Sequence, residues 1–301
     1  MSSYTITIVG GDLRQCYLAD YLHDAGHTVT CCNTMPFPYK GQIKNADSLA
    51  TAISNAQLII GPVPFSKDSI NVALLANEKE SALHNITADR LRTNFSIPLT
   101  QLTDLLRPDQ RLAGGIVPNT VREACANRGI RVIDFMESES LSIFNAALTA
   151  EGLLVPLIKH TPFSLFGQPI LLLGYGRCGN MIGAKLKSLG GIVSAYDTDA
   201  DRLALAKTLG ISPISIKELT HSLPDYALIV NTVPSTILTE KQLATLNKAC
   251  LIFDIASAPG GFDKQMMDSM HLQFICCPGI PGKFMPKTAG ELIGKTILQL
   301  L

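Results

Sequence analysis

Pro169-Ile170-Leu171-Leu172-Leu173-Gly174-Tyr175-Gly176-Arg177-Cys178-Gly179-Asn180 is the stretch on which the fold of this chain turns. Five apolar residues in a row, closed by glycine, are the length and composition of a strand buried on both faces. The glycines that follow have the G-x-G-x-x-G spacing of a strand-to-helix turn that receives a dinucleotide. Each glycine has its own task. Gly174 permits the tight turn, Gly176 lets the backbone approach a pyrophosphate, and Gly179 lets the helix lie close to the strand. The helix that starts here offers free N–H groups and partial positive charge to the phosphates, and Tyr175, Arg177 and Cys178 fill the intervening positions.

Outward from this turn, Ile192 to Tyr196 reads as the next strand, and Asp197 stands at its end. A carboxylate there suits the adenosine ribose hydroxyls and favours NAD over NADP, since a 2′-phosphate would meet Asp197 and Asp199 as like charges. Arg202, nearby, softens that repulsion. Two later strand ends, Asn231-Thr232-Val233-Pro234 and Asp254-Ile255-Ala256-Ser257, should line the same cofactor, because ligands of open parallel sheets sit beyond the carboxyl ends of the strands. Short apolar runs alternate with amphipathic helices through the rest of this half, up to a final helix from Thr288 to Leu301.

The N-terminal half repeats the pattern less cleanly. Tyr4 to Val9 is a strand, followed by Gly10-Gly11-Asp12 and a helix to about Ala25. Thr28 to Cys32, Gln57 to Ile60, Arg111 to Ile116 and Arg131 to Asp134 are further strands, and Asn45 to Asn55 reads as a helix. The stretch from Asn77 to Pro98 is polar, with one β-like run near Phe95 to Ile97. A helix from Leu141 to His160, broken at Pro156, joins the halves. The expected fold is α/β, two Rossmann-like doubly wound domains with mainly parallel sheets separated by a cleft. Residues 1–140 form the substrate or dimerisation domain, residues 141–287 bind NAD or NADP, and helix 288–301 packs back on the first domain.

The first domain is where a substrate should bind. The turn at Gly10-Gly11 lacks the dinucleotide spacing but still opens a helix, so it can hold an anion. Gly11 and Asp12 would offer main-chain N–H groups there, and Arg14 a planar guanidinium for a carboxylate. Lys283 and Lys287 lie in a stiff Pro/Gly-rich segment and add positive charge. The acid or base is left open among Asp12, Glu151 and His160. The residues alone favour a structural role for Glu151 and a buried hydrogen bond for His160. Cys178, at a helix start, should have a lowered pKa.

Net charge is zero, so no basic stripe supports a nucleic-acid partner. With 47% hydrophobic residues, cores are easily filled. Eight cysteines show no C-x-x-C and no zinc spacing, so no metal site is expected and the thiols read as small buried groups of a reducing cytosol. No signal peptide or membrane span is read from the pattern, which makes the expected location cytoplasmic.

Several segments together carry a family resemblance. They are Gly10-Gly11-Asp12-x-Arg14, Thr149-Ala150-Glu151-Gly152, His160-Thr161-Pro162, Leu173 to Arg177, Asn231 to Ser235, and Asp254 to Gly261. Pro278 to Gly282 with Pro286-Lys287-Thr288-Ala289-Gly290 is the most distinctive. In this order they resemble the dehydrogenase component of dipicolinate synthase, its A subunit. The resemblance implies a two-component enzyme of endospore-forming bacteria, in which this nicotinamide-dependent dehydrogenase works with a flavoprotein B subunit. It implies oxidation of a dihydrodipicolinate-type intermediate to pyridine-2,6-dicarboxylate during sporulation, a small dicarboxylate substrate, a homo-oligomer, and the architecture of alanine and D-2-hydroxyacid dehydrogenases. Two positions depart from the pattern. Some members carry Arg and Ser where this chain has Asp197 to Asp199, as an NADP enzyme would, and Lys283 replaces a small apolar residue. The alternatives are another NAD-dependent amino-acid or 2-hydroxyacid dehydrogenase, or a dinucleotide-sensing protein without turnover.

Overall fold

The computed structural model describes residues 3–35, 37–74 and 96–301. Most of the Asn77–Pro98 stretch, including Phe95, lies outside them. The chain forms two units, residues 1–142 with 285–301, and residues 143–284.

Unit 1 holds β1 (Thr5–Val9), β2 (Thr28–Cys32), β3 (Lys44–Ala46), β4 (Leu58–Ile60), β5 (Arg111–Gly114) and β6 (Arg131–Asp134) in one sheet of order β3-β2-β1-β4-β5-β6. Unit 2 holds β7 (Pro169–Leu173), β8 (Ile192–Tyr196), β9 (Ser212–Pro213), β10 (Leu228–Asn231), β11 (Leu251–Asp254) and β12 (Gln273–Cys276), ordered β12-β11-β10-β7-β8-β9. The two orders are the same doubly wound arrangement, and every pairing is parallel. Both sheets are therefore Rossmann-like, and the expected fold class is the one observed.

Burial explains why strands so apolar pair this way. Ile170 and Leu172 of β7 pack into one core, while Leu171 and Leu173 pack into the core on the opposite face. Alternation through a pleated strand thus fills both faces. Unit 1 does the same, with Ile59 on one side and Leu58 and Ile60 on the other.

Several expected boundaries shift for identifiable reasons. The helix expected over Asn45 to Asn55 is instead the short edge strand β3 and a helix over Leu49–Ile53, started by Ser48, whose side chain accepts from Thr51 N–H. The connecting helix divides into Glu139–Gly152 and Leu154–His160, with the break at Leu153. Pro156 does not break it, because it sits in the first turn of the second helix, where its missing N–H has no partner to lose. An 18-residue window within Glu139–His160 reaches a mean hydropathy of 1.7, long and apolar enough by composition alone to cross a membrane. Ala150, Leu153 and Leu157 nevertheless pack into the core of unit 2. The Pro/Gly-rich segment after β12 also holds a short helix, Ile280–Phe284, where a stiff loop was expected.

The last helix, Pro286–Leu300, lies on helix Leu13–Asp24 of unit 1. Small residues set that contact. A Cβ on Gly290 would come within 2.4 Å of the Arg14 carbonyl, and one on Gly294 within 2.5 Å of the Tyr21 ring. As one helix advances from Gly290 to Gly294, its contacts on the other advance from Arg14 to Tyr21. The two helices therefore run in the same direction, and their N-termini share one end of unit 1.

Candidate functional site

In unit 2 the glycine turn is built as its spacing demands. Gly174 has φ +90°, which only glycine adopts without strain. A Cβ on Gly179 would lie 2.1 Å from the Gly174 carbonyl, so the helix Arg177–Ser188 can approach β7 only through glycine. At Gly176 the situation is reversed. A Cβ there would meet only Arg202 Nη1, at 3.9 Å, so the space above Gly176 is open. Gly176 is the N-cap and has no side chain to offer, so no side-chain cap closes the helix start. An uncapped N-terminus under open space fits a pyrophosphate.

Asp197 behaves differently from the expectation. Its carboxylate accepts from Tyr175 N–H at 2.6 Å and Asp199 N–H at 2.9 Å, and its side chain is 6% exposed. It ties the second strand end to the glycine turn. Burial raises its pKa, but the two backbone donors and Arg202 outweigh that, and the net shift is downward, so it stays a carboxylate. Asp199, not Asp197, caps the next helix, Ala200–Thr208. Arg202 spans the two acids, at 3.5 Å from Asp197 and 3.3 Å from Asp199, and is half exposed.

Tyr175 contributes only backbone. Its ring is buried with Leu172, Ile182 and Ile211 beneath the turn, so its side chain cannot line a cofactor. Thr232 Oγ1 donates to the carbonyls of Leu173 (3.1 Å) and Gly174 (3.4 Å), and Val233 stands against Gly174. Pro234 follows in the same strand-end loop. Asn231 is fully buried. Its Nδ2 donates to Asp254 Oδ1 and to the Val233 carbonyl, both at 2.9 Å, while its Oδ1 accepts from Val233 N–H. Asp254 also accepts from Ala256 N–H and Gly261 N–H. The Asn231–Asp254 pair thus clamps the two strand-end loops together, and Asn231 is a positioning residue instead of a cofactor ligand. Ser257 is exposed at the loop tip. In the sequence Asp254 is one residue of a strand-end motif, and its burial against Asn231 is what marks its role.

Cys178 does not have the lowered pKa expected of a helix start. Burial pushes its thiol up, against a smaller opposing pull from Arg177. All eight cysteines are free thiols, buried except for Cys178, which is half-buried, and Cys276, which is exposed. Among the described residues no group of His, Cys, Asp and Glu is arranged to hold a metal. His160 is exposed, not buried, and lies edge-on to the Phe253 ring at 6.4 Å. Glu151 is exposed as well.

In unit 1, Asp12 caps the helix Leu13–Asp24 and forms a capping box with Gln15. Asp12 is also paired with Arg14, Oδ1 to Nε at 2.9 Å and Oδ2 to Nη2 at 2.7 Å. Arg14 Nη2 donates further to the Val63 carbonyl. Burial raises the Asp12 pKa, yet the pairing with Arg14 outweighs it and holds the group below the usual carboxylate range. Asp12 is therefore a permanent anion and not the general acid considered from sequence. Arg14, expected to be free for a substrate, is already oriented by Asp12. Lys287 is exposed in the first turn of the last helix, at the end of unit 1 that also carries Asp12 and Arg14. Lys283 is half-buried in the short helix Ile280–Phe284 of unit 2, so the two lysines belong to different units.

Two doubly wound sheets, one with an open glycine turn, define the architecture of the two-domain dehydrogenases. The structure is similar to that of an L-alanine dehydrogenase, with a TM-score of 0.60 at 14% identity over 97% of this chain and 88% of that one. The particular family is narrower. Residues 5–136 match the family model of the dipicolinate synthase A subunit N-terminal domain. Along its whole length the chain is 26% identical to the dipicolinate synthase A subunit of Bacillus subtilis (strain 168), covering 97% of that protein. The crystal structure of the dipicolinate synthase A subunit from Bacillus halodurans superposes with a TM-score of 0.83 at 22% identity, covering 99% of both chains. The resemblance read from the ordered motifs is thereby borne out.

Proposed function

We propose that this chain is the dehydrogenase component of a dipicolinate synthase, using NAD in unit 2 and binding a small dicarboxylate in unit 1. The observation that carries this reading is the uncapped helix start at Gly176, in a chain similar from end to end to the dipicolinate synthase A subunit of Bacillus subtilis. The backbone of Gly174 to Gly179 would hold the pyrophosphate, while Asp197 and Asp199 hold Arg202 and would disfavour a 2′-phosphate. When bound, the nicotinamide would supply the hydride acceptor. Conversion of a dihydropyridine to the aromatic ring releases that hydride and one proton, so the oxidation balances with one dinucleotide reduced. Aromatisation favours the products, and the protein's main work is orientation, worth roughly 7–11 kcal/mol of barrier when reactants are well placed. Arg14 and Lys287 neutralise the substrate carboxylates. Glu151 or His160 takes the proton, and pH profiles of Glu151→Gln and His160→Asn variants separate the two. A homo-oligomeric cytoplasmic enzyme of sporulating cells, working with a flavoprotein-type B subunit, completes the reading.

The test supplies the purified chain with the product of dihydrodipicolinate synthase and NAD or NADP, with and without the flavoprotein component. Appearance of dipicolinate with stoichiometric dinucleotide reduction is expected, faster with NAD. No dipicolinate in any combination, or turnover of alanine or lactate in its place, would replace this reading with another dehydrogenase.

A further inference from the structure

We propose that the start of helix Leu13–Asp24 is a carboxylate-binding subsite whose donors are Gln15 Nε2 and Arg14 Nη1, with Lys67 as a third, screening cation. Asp12 acts there as the positioning residue of Arg14. The subsite deepens the reading of unit 1 as the substrate unit and rests on it.

Gln15 is the central observation. Its side chain is 0% exposed. Its Oε1 accepts from Asp12 N–H at 3.1 Å, which settles which end of the amide is oxygen. Nε2 is then a buried donor, and among the described residues it has no hydrogen-bond partner. An unmet buried donor costs about 1–3 kcal/mol, and such groups persist where they are used. The carboxamide lies over the glycine turn, since a Cβ on Gly11 would come within 2.3 Å of Gln15 Oε1. Gly11 also has φ +90°. Glycine is therefore needed twice over to keep the amide in place.

Arg14 supplies the second donor. It is 9% exposed, and Asp12 and the Val63 carbonyl occupy its Nε and Nη2. Its remaining nitrogen, Nη1, has no partner among the described residues. Lys67 is exposed and close enough to Asp12 to help lower its pKa. The last helix also brings its N-terminus and Lys287 to this end of unit 1.

The geometry favours a carboxylate over a phosphate. The capping box already engages the N–H groups of Asp12 and Arg14, leaving one guanidinium nitrogen, Arg14 Nη1, and the Gln15 amide as donors. Two such donors suit the two oxygens of a carboxylate.

The experiment measures binding of benzene-1,3-dicarboxylate and pyridine-2,6-dicarboxylate to the full chain by equilibrium dialysis, with NAD binding as the internal control. Gln15→Glu keeps an oxygen for Asp12 N–H but replaces the donor by an anion. It should raise the Kd for both dicarboxylates at least about tenfold, the direction expected for a like charge facing the ligand, with NAD affinity unchanged when binding is measured well below the variant's own, lowered thermal midpoint. Lys67→Ala should raise it roughly threefold at low salt and hardly at all near 1 M salt. Unchanged dicarboxylate binding in Gln15→Glu, or a parallel loss of NAD binding, overturns the subsite. If the wild type prefers pyruvate and Gln15→Glu abolishes that binding, the subsite stands and the dipicolinate reading falls. If the wild type makes dipicolinate and Gln15→Glu binds it normally, the reverse holds.

Discussion

The chain contains the same turn twice. Each follows the first strand of its own sheet, each opens a twelve-residue helix, and the two sheets share one strand order. Yet the turn at Gly174 is left uncapped, with open space over Gly176, while the turn at Gly10 is closed by Asp12 and Gln15. Topology sets where a helix N-terminus points. The first-turn side chains then decide whether its N–H groups are offered to a large phosphate ligand or used up, so that side-chain donors read a smaller anion.

Substitutions in unit 2 should break the comparison hardest. Gly179→Ala forces a Cβ to within 2.1 Å of a backbone carbonyl that has no side-chain freedom to yield. Denaturant unfolding should show a loss of about 3 kcal/mol or more, together with loss of NAD binding. Gly176→Val should do the opposite. Its backbone lies at φ −71°, ordinary for any residue, and its surroundings are open, so stability should stay within about 0.5 kcal/mol of wild type while NAD binding falls more than about tenfold. A Gly176→Val protein that still binds NAD normally would remove the pyrophosphate from this turn.

Asp254→Asn tests the clamp between the strand-end loops. An amide cannot accept from Asn231, Ala256 and Gly261 together without turning a donor toward one of them. A cost of about 1–3 kcal/mol is expected in urea melts. In unit 1, Gly11→Ala should cost about 1–2 kcal/mol, by displacing the Gln15 cap and straining a positive φ, and should leave NAD affinity untouched. Equal damage to NAD binding would show that the two turns are not independent.

The smallest effect concerns pH. The folded-state pKa of Asp12 is lowered, so the Asp12–Arg14 pair contributes stability that is fully present above the unfolded value near 4 and is lost as pH falls through the folded one. The gap in urea midpoint between wild type and Asp12→Asn should therefore be constant from pH 5 to 7 and narrow below about pH 4. A gap that widens on acidification would reverse the assignment of Asp12 as a permanent anion.

Much of this was legible from residue order. The apolar run Pro169 to Leu173, the glycine spacing and the alternation of strands with helices specify two parallel sheets, because continuous apolar strands need cover on both faces and parallel strands need helical crossovers. The ordered motifs also pointed to the family. Side-chain direction was not legible, since each capping or pairing choice depends on atoms brought from elsewhere in the chain. Tyr175 sits in a cofactor motif, but its ring faces the core. Asp197 stands at the ribose position, but it is held by Tyr175 N–H. Arg14 is bound to Asp12 two residues away, a pairing the helix start creates. Gln15 and Lys67 carried no motif at all, and only the folded turn leaves the Gln15 amide buried with its donor unmet. Local pattern fixed which segments become strands, helices and turns, because hydrophobic period and glycine geometry act over a few residues. Which polar groups remain available for chemistry was decided by tertiary structure, where burial and hydrogen-bond competition are settled.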